Sequence, residues 1–428
     1  MRKLLYSKNA IAKTQAIIIA AIIIIAVIAG AAYYYFFMIP KAPAKEYIVI
    51  GRTLAFTGKY SKPALMARKG WDLWMEDVNA KGGIYVKELG RRLKVKTIYY
   101  DDESDPSTAA ELYRKLIEVD KVDLIVGPYA SSVNYAVQPI AESYKMIMPI
   151  CEGTSTKLYT RGFKYSFMCG AGGVASHYHY RFFEWLSKLP SDIRPKKIAI
   201  LAEDTAFPRS VAEGAKEFAA EFGFEVVYEE YYPKGTTDFV PIVTKARDAG
   251  AEVLVCGTYF PDAAGIVRAC KEIGWAPKAI FCTVGPALPE WGTELGSDGD
   301  YVFSATDFVP ITPEGKEFYE KFKKKYGIEP SYHAARDYSM GMMLQQAIEA
   351  VGSLDQDKLL EYFMSGVKFK TLFGEITIGS YRDLKGITWP PSYYIVQWQN
   401  GKMVVVLPED YAQAKPIFPM PSWEERGG

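Results

Sequence analysis

Apolar residues fall along this chain in two rhythms. Short apolar runs at Tyr47–Ile50, Val122–Val126, Met146–Ile150, Lys197–Leu201, Val253–Gly257 and Ala279–Thr283 read as strands. Between most of them lie stretches in which apolar residues recur at helical spacing: Ala64–Asn79, Val133–Ser143, Val211–Phe222, Asp238–Ala249 and Ala263–Ile273. Leu93–Tyr100 and Glu225–Tyr232 add strands, Pro313–Tyr326 and Tyr338–Val351 add helices, and Asn400-Gly401 between two apolar runs signals a hairpin. Strand alternating with helix predicts a doubly wound α/β architecture. Strands that are apolar without alternation are buried on both faces, and their carboxyl ends open onto a ligand crevice.

The stretch VDLIVGPYASS, Val122–Ser132, concentrates this logic. Its apolar run breaks at Gly127-Pro128, and Ser131 or Ser132 is expected to cap a helix running to about Tyr144. A helix amino terminus with free amides suits a carboxylate, although a serine that only caps its own helix explains the same residues. Similarly, Ser107 or Thr108 is expected to cap a helix that ends near Glu118. The segment VLVCGTY repeats DLIVGPY, pairing Gly127 with Gly257 and Tyr129 with Tyr259. The repeat suggests two similar lobes, each offering a tyrosine loop to a shared cleft. After Ile150, the sequence CEGTSTKLYTRG brings Glu152, Gly153, Thr154 and Ser155 to the same sheet edge.

The amino terminus follows a different pattern. From Thr14 to Ile39 no residue is charged, and a run of that length is enough for a membrane-spanning helix, for which about 20 residues suffice. Arg2, Lys3, Lys8 and Lys13 precede it and place the amino end in the cytoplasm, so the rest of the chain is expected outside the cell. Tyr33, Tyr34 and Tyr35 fall where an outer aromatic belt would sit. The expected boundaries are a basic region over 1–15, the transmembrane helix over 16–39 and a stiff linker over 40–45.

With 428 residues and 49% hydrophobic content, the chain can build two sizeable cores. A formal charge of +1 offers no field for nucleic acid. The five cysteines show neither CxxC pairs nor metal spacing and read as small buried hydrophobes, with a Cys151–Cys169 disulfide left open. His177 and His179 lie two apart and would face different ways on a helix, so neither a metal nor a cofactor is expected. No GxGxxG, GxSxG or HExxH motif occurs, which argues against a dinucleotide enzyme, a serine hydrolase or a zinc peptidase.

The segments LAFTGKY, WMEDVNAKGGI, YYDDESDPSTAAELYRKLI, VDLIVGPYASS and KKIAILAEDTAF, in this order and spacing, resemble the type I, leucine-binding-protein-like periplasmic receptors of branched-chain amino acid transporters. The amino-terminal KNAIAKTQAIII also resembles pilin-like signals of archaeal extracellular binding proteins, implying cleavage near Ala12 or Lys13 with retention of the apolar helix. The family resemblance implies two doubly wound, Rossmann-like lobes joined by three crossings: residues 46–172 with 306–388, and 173–305 with 389–428. It implies a solute receptor that hands a small hydrophobic amino acid, amide or carboxylic acid to an ABC permease. It places the ligand carboxylate at Ser131 with backbone from Tyr129 and Ala130, and the α-ammonium at Thr154 with Glu152 and Gly153. Phe207 and Tyr259 would close over the ligand, with Tyr60 and Gly285 also at the site. The family's acidic residue after the Ala279–Thr283 strand is missing, because that stretch reads TVGPALP. Glu152 or Glu203 is then the substitute, or else the solute carries no amine. The cysteine pair of bacterial relatives is also missing, its places being taken by Ser104 and Ala130. A ligand-sensing receptor domain and an extracellular α/β enzyme are the alternatives.

Overall fold

The computed structural model describes residues 2–34, 45–388 and 393–426, with side chains from residue 11 onward. Most of the expected 40–45 linker, and Tyr35 of the aromatic belt, lie outside the described residues. The chain divides into two compact units, Met1–Glu46 and Tyr47–Gly428.

The first unit is a helix, Arg2–Tyr33, whose Ile11–Tyr33 segment has a mean hydropathy of 2.8. At 1.5 Å per residue those 23 residues extend about 34 Å, enough to cross a bilayer core of about 30 Å. Its described side chains are all exposed, so no protein core accounts for their apolarity.

The second unit is built on two principal sheets. Strands β1 (Tyr47–Leu54), β2 (Ile84–Val86), β3 (Arg91–Asp101) and β4 (Leu124–Ile125) form the first, in the order β2-β3-β1-β4. β1 runs parallel to β3 and β4, while β2 is an antiparallel edge. The short parallel pair β5 (Met148–Ile150) and β6 (Ser166–Met168) stands beside β4, where the Gly127 amide donates to the Pro149 carbonyl. The second sheet takes β7 (Lys197–Glu203), β8 (Glu225–Tyr232), β9 (Val253–Gly257), β10 (Ala279–Cys282) and β11 (Phe303–Thr306). After β11 the chain returns to the first sheet, where the helix Tyr332–Val351 packs on the helix Ser61–Ala80. Two hairpins follow, β12 (Phe369–Thr371) with β13 (Gly374–Ile376) and β14 (Ile378–Tyr381) with β15 (Leu384–Thr388). The chain then re-enters the second sheet as β16 (Tyr394–Gln399) and β17 (Lys402–Leu407), completing the order β17-β16-β11-β10-β9-β7-β8.

The parallel strands β9 and β10 are buried at every residue, as their unbroken apolar sequence predicts. Against the second sheet, Phe182 packs on Phe281 of β10 and Phe303 of β11, and buried His179 lies against Phe183 and Phe281. Each such side chain contributes roughly 1.5–3 kcal/mol on full burial. All five cysteines are buried free thiols, so the Cys151–Cys169 bridge left open above is not formed.

Several helices begin earlier than apolar periodicity alone indicates. The helix expected from Val211 starts at Ala206, and the one expected from Tyr338 starts at Tyr332. Neither Ser107 nor Thr108 caps its helix. Asp105 does, accepting the Thr108 amide at 2.8 Å, with Pro106 supplying a fixed φ at the first helical position.

Candidate functional site

Six loops leave the carboxyl ends of parallel strands on the sides where the two sheets face each other, and they carry most of the residues singled out from sequence. The loop after β4 turns at Ala130, which has φ 73° and ψ 139° and occupies the N-cap position of the helix Ser131–Ser143. Alanine has no side-chain acceptor, so the expected cap by Ser131 or Ser132 is not made. The Ser131 hydroxyl instead accepts the Ser155 amide at 3.1 Å, tying the β4 loop to the β5 loop. Asn134 holds the same turn by donating to the Pro128 carbonyl at 2.7 Å and the Ala130 carbonyl at 2.9 Å. A Cβ on Gly153 would run into Ile150, Asn134 and Leu158, so this glycine permits close packing of the two loops.

From the second sheet, Phe207 stands in the first turn of the helix Ala206–Glu221, and Tyr259 is the N-cap residue of Phe260–Glu272. Thr258 and Thr283 lock the β9 and β10 loops through paired bonds of 2.8 and 2.9 Å. Beyond them Val284 has φ 61°, a strained conformation for a β-branched residue.

These loops enclose a cavity of about 10 Å³, room for about one water molecule. Tyr129, Ala130, Glu152 and Thr154 line it from the first sheet, and Phe207, Tyr259 and Val284 from the second. Tyr178, Tyr332, His333 and Arg336 complete the wall. Of the residues expected at the site, Ser131, Gly153, Tyr60 and Gly285 do not line it. Ser131 and Gly153 fix its loops. Tyr60 backs it, its ring 4.6 Å from that of Tyr259 and 6.1 Å from that of Tyr129. A Cβ on Gly285 would meet Ala263 and Trp291.

Sequence reasoning missed Tyr332, His333 and Arg336. All three sit in the first two turns of the helix Tyr332–Val351, preceded by Ser331 at the N-cap position. That serine before a segment continuing into apolar periodicity was the available signal.

The polar groups form a buried network. Arg336 Nε donates to Asp307 Oδ2 at 2.7 Å, and the guanidinium lies 4.7 Å from the Tyr332 ring centroid. His333 Nδ1 lies 2.6 Å from Glu152 Oε2. Burial raises the Glu152 carboxyl to about 8 and lowers the His333 imidazole to about 3. At neutral pH the pair is therefore uncharged, with the carboxyl donating to Nδ1 and the imidazole proton on Nε2. Glu152 Oε1, His333 Nε2, Arg336 Nη2 and the hydroxyls of Tyr259 and Tyr332 are buried without hydrogen-bond partners. Unsatisfied groups of this kind cost about 1–3 kcal/mol each, so their convergence on one cavity marks a place for a polar ligand.

Glu203 is taken out of contention as a ligand carboxylate. It binds Lys59, which also reaches Asp262 at 2.8 Å. Cys151, Glu152 and Asp337 bring potential metal-ligand atoms within 4.8 Å of one another. The fit is poor, because fully buried Arg52 pairs with Asp337 and supplies the compensating positive charge. Burial also holds the Cys151 thiol well above its usual pKa, in its weakly ligating form.

The family described as periplasmic binding protein matches residues 47–402. The "Leu/Ile/Val-binding protein homolog 7" of Brucella melitensis is 26% identical over 381 residues, covering 86% of this chain and 93% of its own length. The leucine binding protein LivK of Thermotoga maritima superposes with a TM-score of 0.73 at 24% identity, covering 84% of this chain and 97% of the relative. A solute binding protein of an ABC transporter from Rhodopseudomonas palustris BisB5, in complex with 3,4-dihydroxybenzoic acid, gives a TM-score of 0.71 at 20% identity, covering 89% and 99%. The α/β architecture is shared by these solved structures.

Proposed function

Since the chain belongs to the periplasmic binding protein family, we propose that it is an extracellular solute receptor of an ABC importer. It captures a small hydrophobic solute bearing a carboxylate and delivers it to a permease. The observation that carries this reading is the cavity between facing strand ends, where aromatic walls surround unpartnered Glu152, His333 and Arg336 atoms. Such a site binds and orients. Among the described residues that line it there is no nucleophile held by a base, which supports binding rather than turnover as its role.

The named relatives support two solute classes, branched-chain amino acids and aromatic acids. In this reading residues 46–172 with 306–388 form one lobe, and 173–305 with 389–428 the other. Closure about the crossings is a population shift toward the state in which both walls touch the solute. The Ile11–Tyr33 helix serves as the membrane anchor.

A thermal-shift panel of amino acids, their amides and aromatic acids tests the reading, because a solute at 100 times its Kd stabilises the fold by about 2.7 kcal/mol. At least one member is expected to raise the melting temperature. A flat response across the panel rejects the proposal.

A further inference from the structure

We infer that Arg336 and His333 form the carboxylate subsite of this cavity and that the solute is an aromatic monocarboxylate without an amine. This rests on the solute-receptor reading and narrows it. The cavity's unpaired cationic and N–H donors are on these two residues. Arg336 Nη2 and His333 Nε2 are both buried without partners, on side chains about 2% exposed. They are one helical turn apart on the same helix, positions that share a face. The Nε of Arg336 is anchored on Asp307 at 2.7 Å and its plane rests on the Tyr332 ring, so the free end of the guanidinium is held in place before any solute arrives. Ser131, at the helix start where the acid group was first expected, already accepts the Ser155 amide and does not line the cavity.

An ammonium group has no comparable reception. Glu152 is the one carboxylate among the described lining residues, and its Oε2 is engaged with His333 Nδ1. Ionising Glu152 to receive an ammonium would break that neutral pair and place a second cation beside Arg336, whose Nη1 lies 4.0 Å from Glu152 Oε2. Across the cleft the wall at this level is Val284, which offers no charge. The other carboxylates nearby are engaged, Asp337 by Arg52 and Asp307 by the Nε of Arg336. The other walls are flat rings: Phe207 lies 5.5 Å from Tyr259 and 5.6 Å from Tyr178, centroid to centroid. Parting those rings by the thickness of one more ring makes a slot for a planar solute, with its acid group toward Arg336.

The test is calorimetry on the full chain in nanodiscs, with benzoate, benzamide, leucine and isoleucine as probes. Benzoate is expected to bind, on the order of 100-fold tighter than benzamide, which keeps the ring but loses the charge. Leucine and isoleucine are expected to bind at least tenfold more weakly than benzoate. Arg336→Gln alone leaves Asp307 buried without its partner, so the double variant Arg336→Gln/Asp307→Asn is measured beside it. With the fold verified by melting, the double variant is expected to bind benzoate no better than benzamide. Tighter binding of leucine or isoleucine, or equal binding of benzoate and benzamide, overturns the subsite while leaving the receptor reading intact. If none of the four probes binds, the subsite falls, and the flat panel response described above then decides whether the receptor reading falls with it.

Discussion

His179 shows how a single side chain adds to the acid sensitivity of a fold. Its ring nitrogens are buried without partners, 4.6 Å from the Phe281 ring and 6.2 Å from that of Phe183, measured between centroids. Burial lowers its pKa to about 3, whereas an unfolded histidine protonates near 6.5. Between those values the unfolded chain binds the extra proton, so stability is lost as pH falls from about 6.5 toward 3, by up to about 1.4 kcal/mol per unit. His179→Phe removes that term. Relative to wild type, its melting temperature is expected to rise steadily as pH is lowered from 7 to 5. Parallel curves for the two proteins over that range would show that His179 does not carry the effect. Glu152 acts in the opposite sense: its raised pKa makes folding less favourable as pH climbs from about 4.5 to 8.

At the scale of elements, the helix pair Ser61–Ala80 and Tyr332–Val351 positions Tyr332, His333 and Arg336 at the cavity. Gly70 lets the first helix lie against the Ala334 backbone, and Gly341 lets the second lie against the Trp74 indole. Alanine at position 70 would gain about 1 kcal/mol in helix propensity, but its methyl meets a backbone carbonyl that cannot move aside. Overpacking of this kind costs about 1–3 kcal/mol and wins. Gly70→Ala is therefore expected to lower the melting temperature and, because Arg336 rides on the displaced helix, to weaken solute binding as well. A variant as stable as wild type would show that the helices have room to part. This interface also explains what was legible in sequence. Strand ends were readable because an unbroken apolar run stopping at glycine marks both a buried strand and its loop, which is how Tyr129, Glu152 and Tyr259 came to be singled out; all three line the cavity. At the start of the Tyr332 helix apolar periodicity fails, because His333, Arg336 and Asp337 are buried polar residues that break the rhythm, and Ser331 at the N-cap position is the signal that remains. Their partners Glu152, Asp307 and Arg52 are remote in sequence, and no local pattern reports such pairings.

Across the whole molecule the two sheets are held face to face by Lys59. It leaves the β1 loop and binds two almost fully buried carboxylates, Glu203 at the end of β7 and Asp262 in the first turn of the helix after β9. Burial raises Asp262 to about 6, with Lys59 opposing the shift. Removing one partner of a buried pair costs about 3–5 kcal/mol, because the remaining charges lose their compensation. In Lys59→Met, Glu203 and Asp262 would regain solvation only if the sheets separated. That variant is expected to show a larger radius of gyration by solution scattering and at least tenfold weaker solute affinity. Scattering curves identical to wild type would remove Lys59 from any role in closure.

The five buried thiols are distributed between the two halves of this arrangement. Cys151 and Cys169 follow β5 and β6, whereas Cys256, Cys270 and Cys282 belong to β9, its following helix and β10. A maleimide added to the native protein can react with each group only when its own layer breathes. The order in which the labels arrive, mapped by peptide mass, would act as a stopwatch running separately on the two halves and would reveal which yields first.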